Sequence, residues 1–347
     1  MIIALLPAHN EAAGIEEAIA SVHSQTLPPD EILVVCDNCT DDTGALAAAA
    51  GARVTATESN TAKKAGALNQ ALVREISRLD DDDYVLIMDA DSLLDPTLIE
   101  AAVRYLDGDP KLGGVSGTFR GGAGGGFVGW LQRNEYARYA RDVRRLKGEA
   151  LVLTGTASVF RVAALKDIHA ARHNSSLPFG GGRFYDEHVL TEDNELTLAL
   201  MHCGWKILAP RECTLTTEVM ETWRDLARQR LRWKRGALEN LIDYGLTKVT
   251  ASYWRRQFMS LVSILATFIY LGALVYGLAT HSLHIQVFWL AVTAVFCLER
   301  CVSVRDRGWR IQLIALTLVI EMVFDIYLQS VQAWAFANVA LRRKALW

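Results

Sequence analysis

The chain has 347 residues, 51% of them hydrophobic, and a formal net charge of −3. That length suits about two domains, and the lack of a broad basic face excludes a nucleic-acid partner from the expectations. Apolar residues are mixed with polar ones through residues 1–250 and dominate over 258–340, so a globular domain followed by a membrane region is expected.

Met1-Ile2-Ile3-Ala4-Leu5-Leu6 lacks the basic flank and the length of a secretory leader. It reads as the start of a domain that stays in the cytosol. Residues 2–6 form the first strand, Pro7-Ala8-His9-Asn10-Glu11 turns off it, and 15–24 are helical up to the break at Pro28-Pro29. Residues 32–35 form a second strand, ending in Cys36-Asp37-Asn38-Cys39-Thr40-Asp41-Asp42. An Ala-rich helix over 43–50 closes at Gly51, a C′ cap. Residues 53–55 make a third strand and 65–79 a helix after Lys63-Lys64. Tyr84-Val85-Leu86-Ile87-Met88 is apolar throughout, as a strand buried on both faces requires. Strands alternating with helices at this spacing predict an α/β fold with a parallel sheet.

Asp89 and Asp91 stand one residue apart after that strand. In an open α/β sheet, ligands bind at the carboxyl ends of the strands. Two hard oxygen donors there suit Mg²⁺ or Mn²⁺ carrying a diphosphate; an acidic turn is the other reading of the same pair. Gly121-Gly122-Ala123-Gly124-Gly125-Gly126 lacks a Gly-Lys-Ser/Thr ending and reads as a linker, not a phosphate cradle. Residues 130–147 carry Arg133, Arg138, Arg141, Arg144, Arg145 and Lys147 with Trp130, Tyr136 and Tyr139 between them. This basic helix either lies against anionic headgroups or packs on the domain with a solvated face. Residues 179–185 form a mobile loop over the site. Thr191-Glu192-Asp193 opens a helix as an N-cap with acidic first-turn residues, and 205–208 is an edge strand. The cysteines, Cys36-x-x-Cys39 included, have no second pair at zinc spacing and read as reduced thiols.

Four stretches resemble, in order, the inverting nucleotide-sugar transferases of glycosyltransferase family 2, which have the GT-A fold (Rossmann-like). They are Pro7-Ala8-His9-Asn10-Glu11, Asp37 to Asp41, Lys64-Ala65-Gly66-Ala67-Leu68-Asn69, and Asp89-Ala90-Asp91. The resemblance covers about residues 1–235 and implies nucleotide contacts from Pro7, Glu11, Asp37, Lys64 and Asp89. It implies a metal, Mg²⁺ or Mn²⁺, at Asp91 with Asp89. Thr154-Gly155-Thr156-Ala157-Ser158-Val159-Phe160-Arg161 resembles the family's acceptor-side segment, giving Gly155, Thr156 and Glu192 to the acceptor; small residues let a sugar approach the backbone. Thr191-Glu192-Asp193 matches the motif whose last residue is the catalytic base, Asp193. Met220 stands where many relatives have a proline.

Gln229-Arg230-Leu231-Arg232-Trp233 resembles the Gln-x-x-Arg-Trp motif of membrane-embedded polysaccharide synthases, such as those for hyaluronan, chitin, cellulose and poly-N-acetylglucosamine. Arginines suit a departing diphosphate, hence Arg230 and Arg232 at the donor, and the Trp233 indole suits a sugar face of the acceptor. The expectation is a hexosyltransferase moving N-acetylglucosamine or a related hexose from a UDP-sugar onto a polysaccharide, with β linkage. The alternative is single transfer to a lipid-linked acceptor such as a polyprenyl phosphate.

Residues 236–347 are expected to hold interfacial and transmembrane helices. Residues 240–257 read as a surface or interfacial helix ending in Trp254-Arg255-Arg256, and 258–279 carry no charge over a spanning length. Residues 285–298 are a shorter apolar run, and 309–340 a third, interrupted by Glu321 and Asp325 on one helix face. Arg255-Arg256, and Arg305 with Arg307 and Arg310, point to the cytosol, whereas a third full span would put Arg342-Arg343-Lys344 outside. The third segment is therefore either re-entrant or an exception to that rule. The expected location is the inner or plasma membrane, against membrane lipids, with the catalytic domain cytosolic. Three helices are few for a sugar channel, so a homo-oligomer, a partner membrane protein, or no translocation is expected.

Overall fold

The computed structural model describes residues 1–282 and 319–343, with isolated positions between them. The chain divides into two compact units. The first comprises residues 1–124, 142–219 and 243–245, the second 125–141, 220–242 and 246–347.

The first unit opens with β1 (Ile2–Ala8), α1 (Ile15–His23), β2 (Glu31–Cys36), α2 (Thr43–Ala49), β3 (Arg53–Ala56), α3 (Lys63–Glu75) and β4 (Tyr84–Met88). It continues with β5 (Leu93–Leu94), α4 (Leu98–Gly108), β6 (Leu112–Ser116) and β7 (Thr118–Gly121). Past the helix α5 (Gly126–Arg145) come β8 (Ala157–Arg161), α6 (Val162–His173), α7 (Glu192–His202), β9 (Lys206–Leu208) and β10 (Thr214–Thr217). The main sheet is seven-stranded, in the order β3-β2-β1-β4-β8-β6-β9. β1 pairs in parallel with β2 and with β4, so that Leu5 lies opposite both Leu33 and Ile87. β8 runs antiparallel to its neighbours β4 and β6, which the alternation of strands and helices does not foretell. β5, β10 and β7 form a small second sheet.

Every residue of β4 is buried, in keeping with its unbroken apolar run. The chain proceeds outward from β1 through β2 to β3, then returns to lay β4 on the other side of β1. That reversal opens a crevice beyond the carboxyl ends of β1 and β4, the usual ligand position in such sheets.

Several boundaries differ from expectation. β1 runs on to Ala8, because Pro7 and Ala8 keep register with Val35 and Cys36. The helix expected over 65–79 ends at Glu75 and tightens into a 3₁₀ turn. Edge strand β9 lies where expected.

The second unit contains most of α5, most of α8 (Trp223–Tyr244), α9 (Ala251–Ala279) and α10 (Val319–Ala340). The surface helix expected over 240–257 is a correction: α8 ends at Tyr244, Gly245 takes φ +66°, and α9 begins at Ala251. A glycine at that conformation ends a helix. α9 is, among the described residues, the one helix long and apolar enough to cross a membrane. Most of the apolar run 285–298, and Arg305, Arg307, Arg310 and Lys344, lie outside the described residues. Glu321 of α10 is 2% exposed; it accepts from Asn134 Nδ2 at 3.0 Å and pairs with Arg138 of α5. At least Arg138 of the basic helix thus faces carboxylates, with Asp325 also 3.5 Å away. Phe324 packs with Val128, Leu131 and Leu226 beside it.

Behind the first turn of α7 lies a buried ion pair. Arg172 Nη2 donates to Glu195 Oε2 at 2.6 Å, both side chains are 0% exposed, and Tyr244 Oη donates to Glu195 Oε1 at 2.5 Å. Removing one partner strands the other charge in a dry interior. Arg172→Leu should therefore cost about 3–5 kcal/mol of stability. Arg172→Leu combined with Glu195→Leu should recover most of that loss, as thermal unfolding in detergent would read.

Candidate active site

The loops after β1 and β2 are stitched together at the crevice. Thr43 Oγ1 accepts from the Glu11 N–H at 2.8 Å, Asn10 Oδ1 accepts from the Thr40 N–H at 2.8 Å, and the His9 ring bonds the Asp37 carbonyl at 2.6 Å. Asn10 (φ +58°) and Asn38 (φ +52°) supply the left-handed backbone these turns need, which asparagine tolerates. Asp37, 7% exposed, gathers three donors on Oδ1: Asn60 at 2.7 Å, Thr57 at 2.9 Å and Asn38 at 3.0 Å.

Beyond β4, Asp89 bonds the Lys64 ammonium, and its N–H donates to the Thr156 carbonyl at 3.2 Å. Asp91 accepts from Ser92 Oγ at 3.1 Å. Burial raises the Asp91 carboxyl above its usual range, and nearby Glu218 raises it further. Glu11 is pushed up to about 7 by burial, then by Asp91, Glu218, Asp89 and Asp41. Glu11 and Asp91 thus resist ionisation through burial first and neighbouring carboxylates second, and a cation there would relieve both. Among the described residues no three His, Cys, Asp or Glu side chains converge as a ready cage. Asp91 with Asp89 fits a Mg²⁺-type ion, which takes one or two carboxylates and completes its shell with phosphate and water.

Asp193 lies in the first turn of α7. Its Oδ2 accepts from the Gly155 N–H at 3.1 Å and its Oδ1 from the Asn194 N–H at 2.7 Å. Burial and the adjacent Glu192 push its carboxyl up to about 6, against the pull of Lys64. Glu192 Oε1 is 3.3 Å from Lys64 Nζ. Tyr185, Thr154 and Gly155 line a small cavity with Lys64, Glu192 and Asp193. The loop expected to be mobile is anchored at one end: Asn69 Oδ1 accepts from the N–H groups of Phe184 at 3.0 Å and Tyr185 at 2.8 Å.

In the second unit, Arg230 is 2% exposed. It donates to Glu135 at 2.7 Å, and its guanidinium carbon lies 4.4 Å from the Trp233 ring centre and 5.6 Å from that of Tyr136. Arg232 and Trp233 are partly exposed on the same helix.

The first unit thus brings together Glu11, Lys64, Asp89, Asp91, Gly155, Thr156, Glu192 and Asp193, with Pro7 near the end of β1 and Asp37 just after β2; the second joins Arg230 to Trp233. Sequence reasoning missed Glu218, Glu135 and the anchoring role of Asn69. Glu218 follows a short strand and belongs to no motif. Asn69 ended a motif already noted, but its partners lie more than a hundred residues away.

A family model described as "Glycosyltransferase like family 2" matches residues 2–236. The poly-beta-1,6-N-acetyl-D-glucosamine synthase of Staphylococcus aureus (strain COL) is 27% identical over 280 residues, covering 77% of this chain and 63% of the synthase. The Staphylococcus epidermidis synthase of the same name is 26% identical over 245 residues, covering 69% of this chain and 55% of its own. The chain therefore spans less than two thirds of the length of these relatives. A mannosyltransferase of Pyrobaculum calidifontis, solved with GDP-Man and Mn²⁺, superposes with a TM-score of 0.63 at 18% identity, over 99% of this chain and 88% of that one. That likeness shows a GT-A-type α/β fold.

The raised Asp193 carboxyl has a consequence for stability. Between about pH 4 and 6 the folded protein holds a proton there that the unfolded chain releases, so this group's contribution falls as pH rises through that window. At pH 7 the ionised carboxylate is a net cost. Asp193→Asn should therefore stabilise the metal-free protein by about 1–3 kcal/mol at pH 7, with the gain fading toward pH 4. Unfolding midpoints of both proteins across pH 4–8 would check this; an unchanged or lowered midpoint at pH 7 counts against the buried-charge account.

Proposed function

The chain is a glycosyltransferase of family 2, and from that footing we propose that it transfers a sugar from a UDP-sugar to a hydroxyl with inversion, giving a β linkage. The observation that carries this reading is Asp193: a carboxylate with its pKa near 6, held by backbone N–H groups, in the same unit as Asp89 and Asp91. A general base works best with a pKa close to the working pH. Asp193 takes the proton from the acceptor hydroxyl as that oxygen attacks the anomeric carbon.

Asp91 and Asp89 would hold Mg²⁺ or Mn²⁺, which neutralises charge on the departing diphosphate when bound. Glu11 and Asp37, beside Pro7, contact the nucleoside. Gly155, Thr156 and Glu192 border the acceptor. Arg232, partly exposed, assists the leaving diphosphate and Trp233 is the sugar platform, whereas Arg230, expected at the donor, is buried against Glu135 and instead holds the Trp233 ring in place. The donor sugar is N-acetylglucosamine and the product a polysaccharide, supported by the synthase relatives. α9 anchors the enzyme in a membrane, with the catalytic unit on the cytosolic side.

The test is transfer from labelled UDP-N-acetylglucosamine by purified protein in detergent with Mn²⁺, with products sized on a gel. A ladder of long products is expected; a single added sugar on a polyprenyl phosphate would overturn polymer synthesis and leave the transferase. Asp91→Ala should abolish UDP release and weaken UDP binding in Mn²⁺. Asp193→Asn should bind UDP normally yet lose about 10²–10⁴-fold in rate. Trp233→Ala should weaken acceptor engagement by about 1–3 kcal/mol with little change in UDP affinity. Full activity in chelator would remove the metal from the mechanism.

A further inference from the structure

Lys64 enters the site from the first turn of α3, and its ammonium is fully engaged by protein groups. It bonds Asp89, lies 3.3 Å from Glu192 Oε1, and donates to the Gly155 carbonyl at 3.3 Å. The N–H of the same glycine donates to Asp193 Oδ2 at 3.1 Å. One residue therefore accepts from the lysine on one side and holds the proposed base on the other. A Cβ on Gly155 would lie 2.7 Å from Lys64 Nζ, so the lysine tip would have to move aside, but 3.6 Å from Asp193 Oδ2, an ordinary contact.

We propose that Lys64 is a positioning residue for the base, clamping Gly155 against Asp193 and keeping a positive charge behind that carboxylate. This departs from the nucleotide contact that the motif implies for Lys64, and it rests on the reading of Asp193 as the base. The groups facing Asp193 are Glu192 on its own helix, Lys64 from α3, and the phenol of Tyr185 from the loop anchored by Asn69. Of these, Lys64 alone supplies positive charge. Burial and Glu192 disfavour the ionised base, and Lys64 opposes them. Without the ammonium, Asp193 would stay protonated to higher pH and the Gly155 segment would lose its clamp.

The experiment compares Lys64→Met, Lys64→Arg and Gly155→Ala with wild type and Asp193→Asn. It reads the pH dependence of kcat with UDP-N-acetylglucosamine and Mn²⁺, and UDP affinity by calorimetry. Lys64→Met should move the acid limb of the profile upward by about one unit or more, as loss of a nearby opposite charge does. Its rate at pH 7 should fall roughly tenfold or more and partly recover at higher pH, with UDP affinity within about threefold. Lys64→Arg should restore much of the wild-type limb. Gly155→Ala, which displaces the ammonium without removing it, should shift the limb in the same direction. If Lys64→Met loses mainly UDP affinity and keeps the limb, Lys64 is a nucleotide contact and the proposal fails. If Lys64→Met does not fold, Gly155→Ala decides: an unmoved limb overturns the proposal. Should Asp193→Asn itself run at near wild-type rate, the reading of the base fails, whatever Lys64 does.

Discussion

The site depends on holding many carboxylates at one edge of a parallel sheet. Glu11, Asp89, Asp91, Glu192, Asp193 and Glu218 crowd the end of the crevice, and burial together with neighbouring carboxylates makes Glu11, Asp89, Asp91 and Asp193 harder to ionise. Such a cluster is costly to fold, and in the proposed reaction a bound cation would offset its repulsion. Within the protein itself, Lys64 is the group set between the two halves of the cluster, bonded to Asp89 and close to Glu192. Burial alone would lower its pKa, but these carboxylates outweigh burial and hold it charged.

The topology explains why the carboxylates meet there. β1 and β4 are sequence-distant strands made adjacent by the reversal of strand order, and the loops after them carry Glu11 and Asp91. Asp193 comes from a later helix, and the antiparallel strand β8 brings the Gly155 segment beside it. The second unit follows a different logic. Its helices bury charge in pairs, Arg230 with Glu135 and Arg138 with Glu321, beside a small apolar cluster around Phe324. Glu321 and Asp325, carboxylates that a bilayer would turn toward protein or a polar path, meet Arg138 of α5.

How much of this was legible follows from the range of each interaction. The apolar run of β4 and the acidic pair after it are local signals, and they gave both the strand and the candidate metal carboxylates. Asp193 was different: in its own stretch it is one more acidic first-turn residue, and only the resemblance over several motifs singled it out. Glu218, Glu135 and the bonds from Asn69 to Phe184 and Tyr185 are long-range contacts with no periodicity to announce them. The helix expected across 240–257 failed for a local reason, since Gly245 was present to be read as a C′ cap.

The central claim is a single displacement with Asp193 as the one base. A hydroxyl activated by one carboxylate attacks from the face opposite the leaving group and inverts the anomeric centre. The most direct measurement is the anomeric proton coupling in the NMR spectrum of product made from α-linked UDP-N-acetylglucosamine. The account predicts β-linked product; an α linkage would contradict it.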